Sequence, residues 1–431
     1  MKHVEYLIVG AGVSGLSFAN FVPRSANWLC LERQKEPGGY CRTVKQDGFV
    51  WDMSGHFFHF RHPRIEQYLV HRMNADEVAT IRKSSSILYK GRRIEFPFQK
   101  NIHQLPLDEF LECLYDLYFR PHNMEVNTFL DMLYARLGQG IVEKFLRPYN
   151  EKLYACSLSS LDKEAMGRFF PHADIADIIR NMRFPDAASY NATFTYPRGG
   201  AIEYIRALLK DIDDVRIHYD ESLESIDTSA SIAYTSKQAI RYEHVVSSMP
   251  WNRLLEVCHV PHDSSLYTYN KVLVFNLGFD KKGQETDHWI YIPEPHFCFY
   301  RVGFYDNIFA TERMSLYVEI GLKADVFVDV SVWLPRVLHD LQVAGITQDH
   351  QLLSYHWAVL DPAYVHINNH SQHDFWEKRA ILEQQGVYSI GRYGGWTYCS
   401  IEDNIVEASQ LAHRLSGLKS DVFVGEPVAS Q

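Results

Sequence analysis

Residues 6–32 read YLIVGAGVSGLSFANFVPRSANWLCLE. Tyr6–Val9 is a short apolar run of strand type. Gly10, Gly12 and Gly15 follow in G-x-G-x-x-G spacing, and a small-residue helix opens at Val13-Ser14. A second apolar run, Trp28–Leu31, ends in Glu32. This order predicts a βαβ unit that binds a dinucleotide. Gly10 permits the tight turn, Gly12 lets the backbone approach a pyrophosphate, and Gly15 lets helix and strand pack closely. The helix N-terminus offers N–H groups and a positive dipole end to the phosphates. Glu32, at the tip of the second strand, suits a ribose diol.

The remaining chain must be built around that unit. At 431 residues it predicts two domains or one large elaborated one. With 46% hydrophobic and 22% charged residues it has the composition of a soluble globular protein. Aromatic residues reach 14%, enough for a large aromatic core, an aromatic-lined pocket, or both. A formal net charge of −10 argues against nucleic acid or an anionic membrane as the main partner. An anionic small ligand would need local arginines working against that field. The seven cysteines are widely spaced with no C-x-x-C, which argues against a disulfide framework or a zinc site and fits a reducing cytoplasm. No metal site is expected. The first apolar run continues into the fingerprint and is not a signal peptide. No apolar run is long enough for a membrane span.

Beyond Glu32, Gly38-Gly39 marks a second tight turn, Arg42 can reach a phosphate, and Phe49–Asp52 is a short strand before Ser54-Gly55-His56. Strands at 87–89 and 93–96 flank Lys90-Gly91-Arg92 as a hairpin. Apolar residues at helical spacing predict a helix over 107–119. Two more helices, Thr128–Leu137 and Ile141–Leu146, break at Gly138-Gln139-Gly140. The second stops at Arg147-Pro148, and another runs from Ser160 to about Phe170. An amphipathic helix covers Ile202–Leu209. Strands at 271–275, 288–292, 297–304 and 316–320 predict a mostly antiparallel sheet. Val326–Val343 is helical, Val387–Ile390 is a buried strand before the Gly391-Arg392-Tyr393-Gly394-Gly395 turn, and Ile401–Leu415 is the last helix. The fold class is therefore α/β: a Rossmann-like dinucleotide-binding domain with a helical insertion and a mostly antiparallel substrate-binding sheet. The expected division is 1–95, 186–262 and 376–431 for the dinucleotide-binding domain, 96–185 for the helical insertion, and 263–375 for the substrate sheet.

The G-G-x-x-R-T segment at 38–43 followed by D-x-x-G-H at 52–56 resembles the FAD-binding superfamily of amine oxidases, protoporphyrinogen oxidases and sugar-nucleotide mutases. That resemblance implies FAD rather than NAD. Gly10, Gly12, Gly15, Glu32, Gly39, Arg42, His56, Gly391 and Arg392 would then hold the cofactor. Four further stretches narrow the resemblance: FPFQKNI at 96–102, FLRPYN at 145–150, YNATFTYPRGG at 190–200, and WIYIPE at 289–294 with FYR at 299–301. With GRYGGW at 391–396 they resemble the UDP-galactopyranose mutase family, its eukaryotic-type branch above all, over about residues 5–415.

This resemblance implies an isomerase that interconverts pyranose and furanose forms of a nucleotide-diphosphate sugar, UDP-galactose first among them, and so supplies galactofuranose for cell-surface glycans. Reduced flavin N5 would be the covalent nucleophile, with NADPH or NADH as reductant. Arg147 and Arg301 match the family's diphosphate arginines. Phe96, Phe98 and Gln99 match its uracil-binding segment, with Phe96 where relatives carry tyrosine. Asn191 matches a residue near the sugar. Tyr291, Tyr364 and Tyr398 match tyrosines that line the site, the latter two as hydroxyl donors. His56 matches the histidine beside the flavin's reactive nitrogen. A homo-oligomer stays open.

Each assignment has a plainer counterpart. Arg301 lies in an aromatic strand and needs a partner, so it can be half of a structural ion pair. A single tyrosine among 26, or a histidine among 21, is by default a packing residue. At the level of the whole chain, an FAD-dependent oxidase or desaturase would use the same cofactor site but want an apolar or amine-fitting cavity without paired arginines. A non-catalytic nucleotide-sugar binder would not need a complete FAD site.

Overall fold

The computed structural model describes residues 1–121, 123–171, 173–184 and 192–417. Two seven-stranded sheets carry the chain. In the first, Lys2–Val9 lies between Trp28–Leu31 and Ala239–Ser247, parallel to both. Ile217–His218 and Val387–Ser389 extend the parallel set, and the meander Leu223–Asp227, Ile232–Thr235, Ala239–Ser247 closes one edge antiparallel. Both faces are covered. Helices Val13–Phe21, Ile202–Leu209 and Ile401–Ser416 pack with Tyr6 and Ile8 on one side. Helices Trp251–Val257 and Asn369–Gln384 pack with Leu7 and Val9 on the other. This double burial is why the strand reads as a continuous apolar run rather than an alternating one.

The second sheet runs Leu352–Val365, Tyr269–Phe279, Ser315–Lys323, Arg301–Phe304, Trp289–Tyr291, Ser85–Tyr89, Arg92–Glu95. Its neighbours are antiparallel except Trp289–Tyr291 beside Ser85–Tyr89, so the expected sheet is present. The hairpin of residues 85–95 was expected with the dinucleotide-binding part, but it pairs here. One face of this sheet packs on the helical block of residues 107–183 and the other on helix Val330–Val343.

Three local readings need correction. First, the chain does not stop at Arg147-Pro148. Helix Phe129–Ile141, kinked at Gly138 (φ 72°), passes through a π-helical turn, Val142–Leu146, directly into helix Arg147–Tyr154. Pro148 sits in the first turn of that last helix, where it gives up little, and the wide turn before it relieves the ring's clash with the preceding carbonyls. Second, Ser160–Phe170 contains only short 3-10 turns, Leu158–Ser160 and Gly167–Phe169, because Gly167 takes a left-handed conformation (φ 47°). Third, strand Leu352–Val365 and helix Asn369–Gln384 were not anticipated. The strand contains Pro362, which reads as a breaker but is tolerated at a sheet edge, and this strand is the edge.

Among the described residues no helix is long and apolar enough to cross a membrane. All seven cysteines are free.

Candidate functional site

A cleft of about 1160 Å³ runs from the first βα turn to the second sheet. Its first arm is built of backbone. Gly10 has φ +101°, and a Cβ there would lie 2.4 Å from Ser248 Oγ. Gly12 caps helix Val13–Phe21 and faces open space, with nothing within 4 Å of a Cβ position. Gly15 lies behind the cleft wall: a Cβ would sit 2.0 Å from the Gly10 carbonyl oxygen, so it sets helix–turn packing and does not line the cleft. Gly38 N–H donates to Ala11 O at 2.8 Å, which brings the second glycine turn, with Gly39 at φ +55°, against the first. Glu32 is buried and lines the cleft. Its two carboxylate oxygens each accept one backbone N–H, from Ala11 and Gln34, both at 2.9 Å, and keep lone pairs for a ligand.

Arg42 lines the same arm and donates from Nε to Gly39 O at 2.9 Å. Gly391 (φ +84°) sits behind the wall with its N–H on Glu407. Asn404 Oδ1 accepts from both Arg392 N and Ser14 Oγ, which fixes the C-terminal turn on the start of the first helix. An open glycine cradle at a helix N-terminus, an acid at the second strand and an arginine between them fit the diphosphate and ribose of a dinucleotide.

The second arm holds the cations. Arg301 lies mid-strand, directly across from Glu319. It donates to Glu319 Oε2 from Nε at 2.8 Å, and its Nη2 lies 2.6 Å from the same oxygen. Glu319 is fully buried and also accepts from Ser54 Oγ. The ion pair expected as the plainer reading is therefore real, yet Arg301 still lines the cleft. Arg392 is different. Its guanidinium lies 4.4 Å from the Tyr398 ring centroid and 5.1 Å from that of Tyr364, and Nη1 donates to Cys399 O at 3.2 Å. Among the described residues no carboxylate comes within ion-pair distance of it. Tyr364 and Tyr398 stack at 5.8 Å, and both line the cleft.

His56 is where the two arms meet. Its Nδ1 is 3.0 Å from Ser54 O, so that nitrogen carries the hydrogen. Burial pushes the ring's pKa down to about 4, leaving it neutral at pH 7. At the far end Phe96 stacks on Tyr291 at 4.7 Å, and Trp289 Nε1–H donates to Tyr291 Oη at 2.8 Å.

Three assigned residues stand elsewhere. Arg147 points out of the cleft and pairs with Glu143 at 3.2 Å and Glu151 at 3.3 Å on the exposed side of its helix. Phe98 and Gln99 are fully buried beneath the wall. Phe98 stacks on Phe145 at 5.1 Å, and Gln99 donates to Pro171 O. Asn191 lies outside the described residues. Sequence reasoning passed over Phe145, Tyr149 and Asn150, which line the cleft from the helix that bears Arg147. Their helical spacing inside FLRPYN was the available signal. It also passed over Lys83, whose Nζ is 5.0 Å from the Phe96 ring centroid and whose pKa burial lowers to about 8, and His59, held by Thr193 O at 2.9 Å. Neither lies in a pattern that marks it. Among the described residues no cluster of three or more His, Cys, Asp or Glu could hold a metal ion.

Residues 14–414 match the family of flavin containing amine oxidoreductases. Among solved structures the chain resembles a reduced UDP-galactopyranose mutase, with a TM-score of 0.89 at 22% identity over 97% of both chains. It also resembles cyclohexylamine oxidase from Brevibacterium oxydans IH-35A, with a TM-score of 0.72 at 13% identity over 96% of this chain and 99% of that one. A fatty acid isomerase from P. acnes that produces CLA gives 0.68 at 12% identity over 95% and 98%. At these identities the likeness establishes the fold, while the family match covers nearly the whole chain. The protein belongs to the flavin containing amine oxidoreductase family, and its cofactor is FAD.

Proposed function

We propose that the protein is a flavin-dependent sugar-nucleotide mutase that interconverts the pyranose and furanose forms of a UDP-hexose, UDP-galactose first among them. The observation that carries this reading is Arg392: a cleft-lining guanidinium between two tyrosines, with no carboxylate to neutralise it. Together with Arg301 it gives the substrate arm a positive field. That field suits a diphosphate and repels an ammonium substrate. Arg392 and Arg301 hold the diphosphate by charge-assisted hydrogen bonds, and the Tyr364 and Tyr398 hydroxyls add neutral donors. The Phe96–Tyr291 stack offers a flat apolar face to a base. Neutral His56 places a polar but uncharged ring beside the flavin, so the site adds no positive charge there.

When bound in its reduced form, the flavin supplies the electron pair for displacement at the anomeric carbon. The chain's residues keep the released UDP within reach for its return. No electrons are consumed overall, and NADPH or NADH serves only to bring the flavin to its reduced state. We place this chemistry in a reducing cytoplasm, where the galactofuranose donor would be made for cell-surface glycans.

The test is dithionite-reduced enzyme with UDP-galactofuranose, followed by chromatography of the nucleotide sugars. UDP-galactopyranose should form without oxygen uptake or stoichiometric NADH. Turnover only with oxygen consumption would sink the proposal in favour of an amine-type oxidase.

A further inference from the structure

Helix Leu107–Tyr118 packs one side against helix Phe129–Ile141 so closely that a Cβ at Gly138 would lie 2.3 Å from the Asp116 carbonyl oxygen. Its opposite side carries Leu107, Leu111, Tyr115 and, just past its end, Phe119, four residues apart on one ridge, with Tyr118 beside them. Each of these five is between 51% and 68% exposed, an unusual density of bare apolar surface for one short helix. Tyr115 and Tyr118 both lean on Phe119, with ring centroids 4.7 and 4.9 Å away.

We propose that this ridge is a self-association surface, occupied by the same ridge of a second copy of the chain. Three observations select that partner. The first is area. Three aromatic and two leucine side chains at these exposures supply about 600 Å² per copy, so a pair buries about 1,200 Å², the lower bound of stable interfaces. The second is pattern. The ridge is aliphatic in its N-terminal half and aromatic in its C-terminal half. An antiparallel pairing about a twofold axis sets Leu107 against the partner's Phe119 and Leu111 against the partner's Tyr115, with the four-residue ridges interdigitating.

The third is charge. Glu109 and Glu112 are already neutralised within the copy by Lys90 and Lys144, at 2.8 and 2.7 Å. The antiparallel pairing then brings Asp108 toward the partner's Arg120 and aligns the helix dipoles head to tail. An anionic lipid surface fits poorly, because LDEFLECLYDLY contains four acids and no base. The tight glycine contact beneath the helix holds the ridge rigid before association.

The experiment is sedimentation velocity of the FAD-loaded full chain across the micromolar range, alongside Leu111→Glu and Tyr115→Arg. Wild type should sediment at twice the 50.1 kDa chain mass, and the variants at the chain mass with unchanged flavin spectra and thermal midpoints. The double variant Leu111→Cys/Tyr115→Cys should cross-link to the dimer on mild oxidation, which reports the antiparallel register without relying on a disruptive charge. A monomeric wild type, or a dimer that persists in both charge variants, would overturn the proposal. So would a dimer whose double-cysteine variant does not cross-link, or a wild type that stays monomeric but binds phosphatidylserine vesicles.

Discussion

Replacing Arg301 with alanine separates two roles that the structure assigns to one side chain. Fully buried Glu319 would lose the N–H donors at 2.8 and 2.6 Å and keep only the Ser54 hydroxyl. Leaving one member of a buried pair unpaired costs about 3–5 kcal/mol. For a chain of 431 residues the unfolding entropy makes that a fall of about 3–6 °C in the thermal midpoint. Independently, each charge-assisted hydrogen bond lost to a diphosphate costs about 1.5–3 kcal/mol, or roughly 10- to 150-fold in affinity.

The two effects are distinguished by Arg301→Ala/Glu319→Gln, in which a neutral amide replaces the orphaned carboxylate and still bonds to Ser54. Differential scanning calorimetry should show most of the midpoint restored. Isothermal titration with UDP against the reduced enzyme should show affinity still reduced at least tenfold. If UDP affinity returns together with the midpoint, Arg301 is structural and the reasoning about the cation arm fails.

Three other expectations follow from the geometry. Arg147→Ala should change stability by less than about 1 kcal/mol and UDP affinity by less than about twofold, because Arg147 is exposed and bound only to surface acids; a tenfold loss in titration would place it in the site after all. Gly15→Ala puts a methyl group 2.0 Å from the Gly10 carbonyl oxygen, costs about 1–3 kcal/mol by overpacking, and should yield protein purified with little flavin absorbance; a full complement of FAD would contradict the packing role. His59→Gln should become more stable relative to wild type as pH falls. The folded ring's pKa is lowered by burial to about 4, the unfolded ring takes its proton near 6.5, and the penalty is absent above pH 6.5 and grows to about 2–3 kcal/mol toward pH 4. Buried Asp52, raised to about 6 by burial, acts with the opposite sign in the same window, so the variant–wild-type difference in chemical denaturation is the quantity to read.

What the sequence could tell depended on how locally each feature is encoded. The dinucleotide arm was legible because glycine conformation is a property of single residues: Gly10, Gly38, Gly39 and Gly391 all have positive φ where turns were read. Arg301 was legible as a charge in need of a partner. Its partner was not, because Glu319 lies 18 residues on and reaches it only through strand pairing. The edge strand Leu352–Val365 was hidden by Pro362, whose cost vanishes only once its place in the sheet is known. Arg147 was misplaced for a reason no composition or motif reveals. Helical spacing assumes 3.6 residues per turn, and the π-helical turn at Val142–Leu146 adds a residue just before it.

That turn also makes the cleft wall sensitive to indels. Phe145, Leu146, Tyr149, Asn150 and Leu153 face the ligand because of the phase set at Val142–Leu146. Deleting one residue there would restore an ordinary α-helix and rotate everything downstream by about 100°. Arg147 would then take the place of Leu146, and Glu151 that of Asn150. One lost codon would thus carry an opposite-charge pair into the wall without substituting a single cleft residue, a change that position-by-position mutagenesis cannot sample.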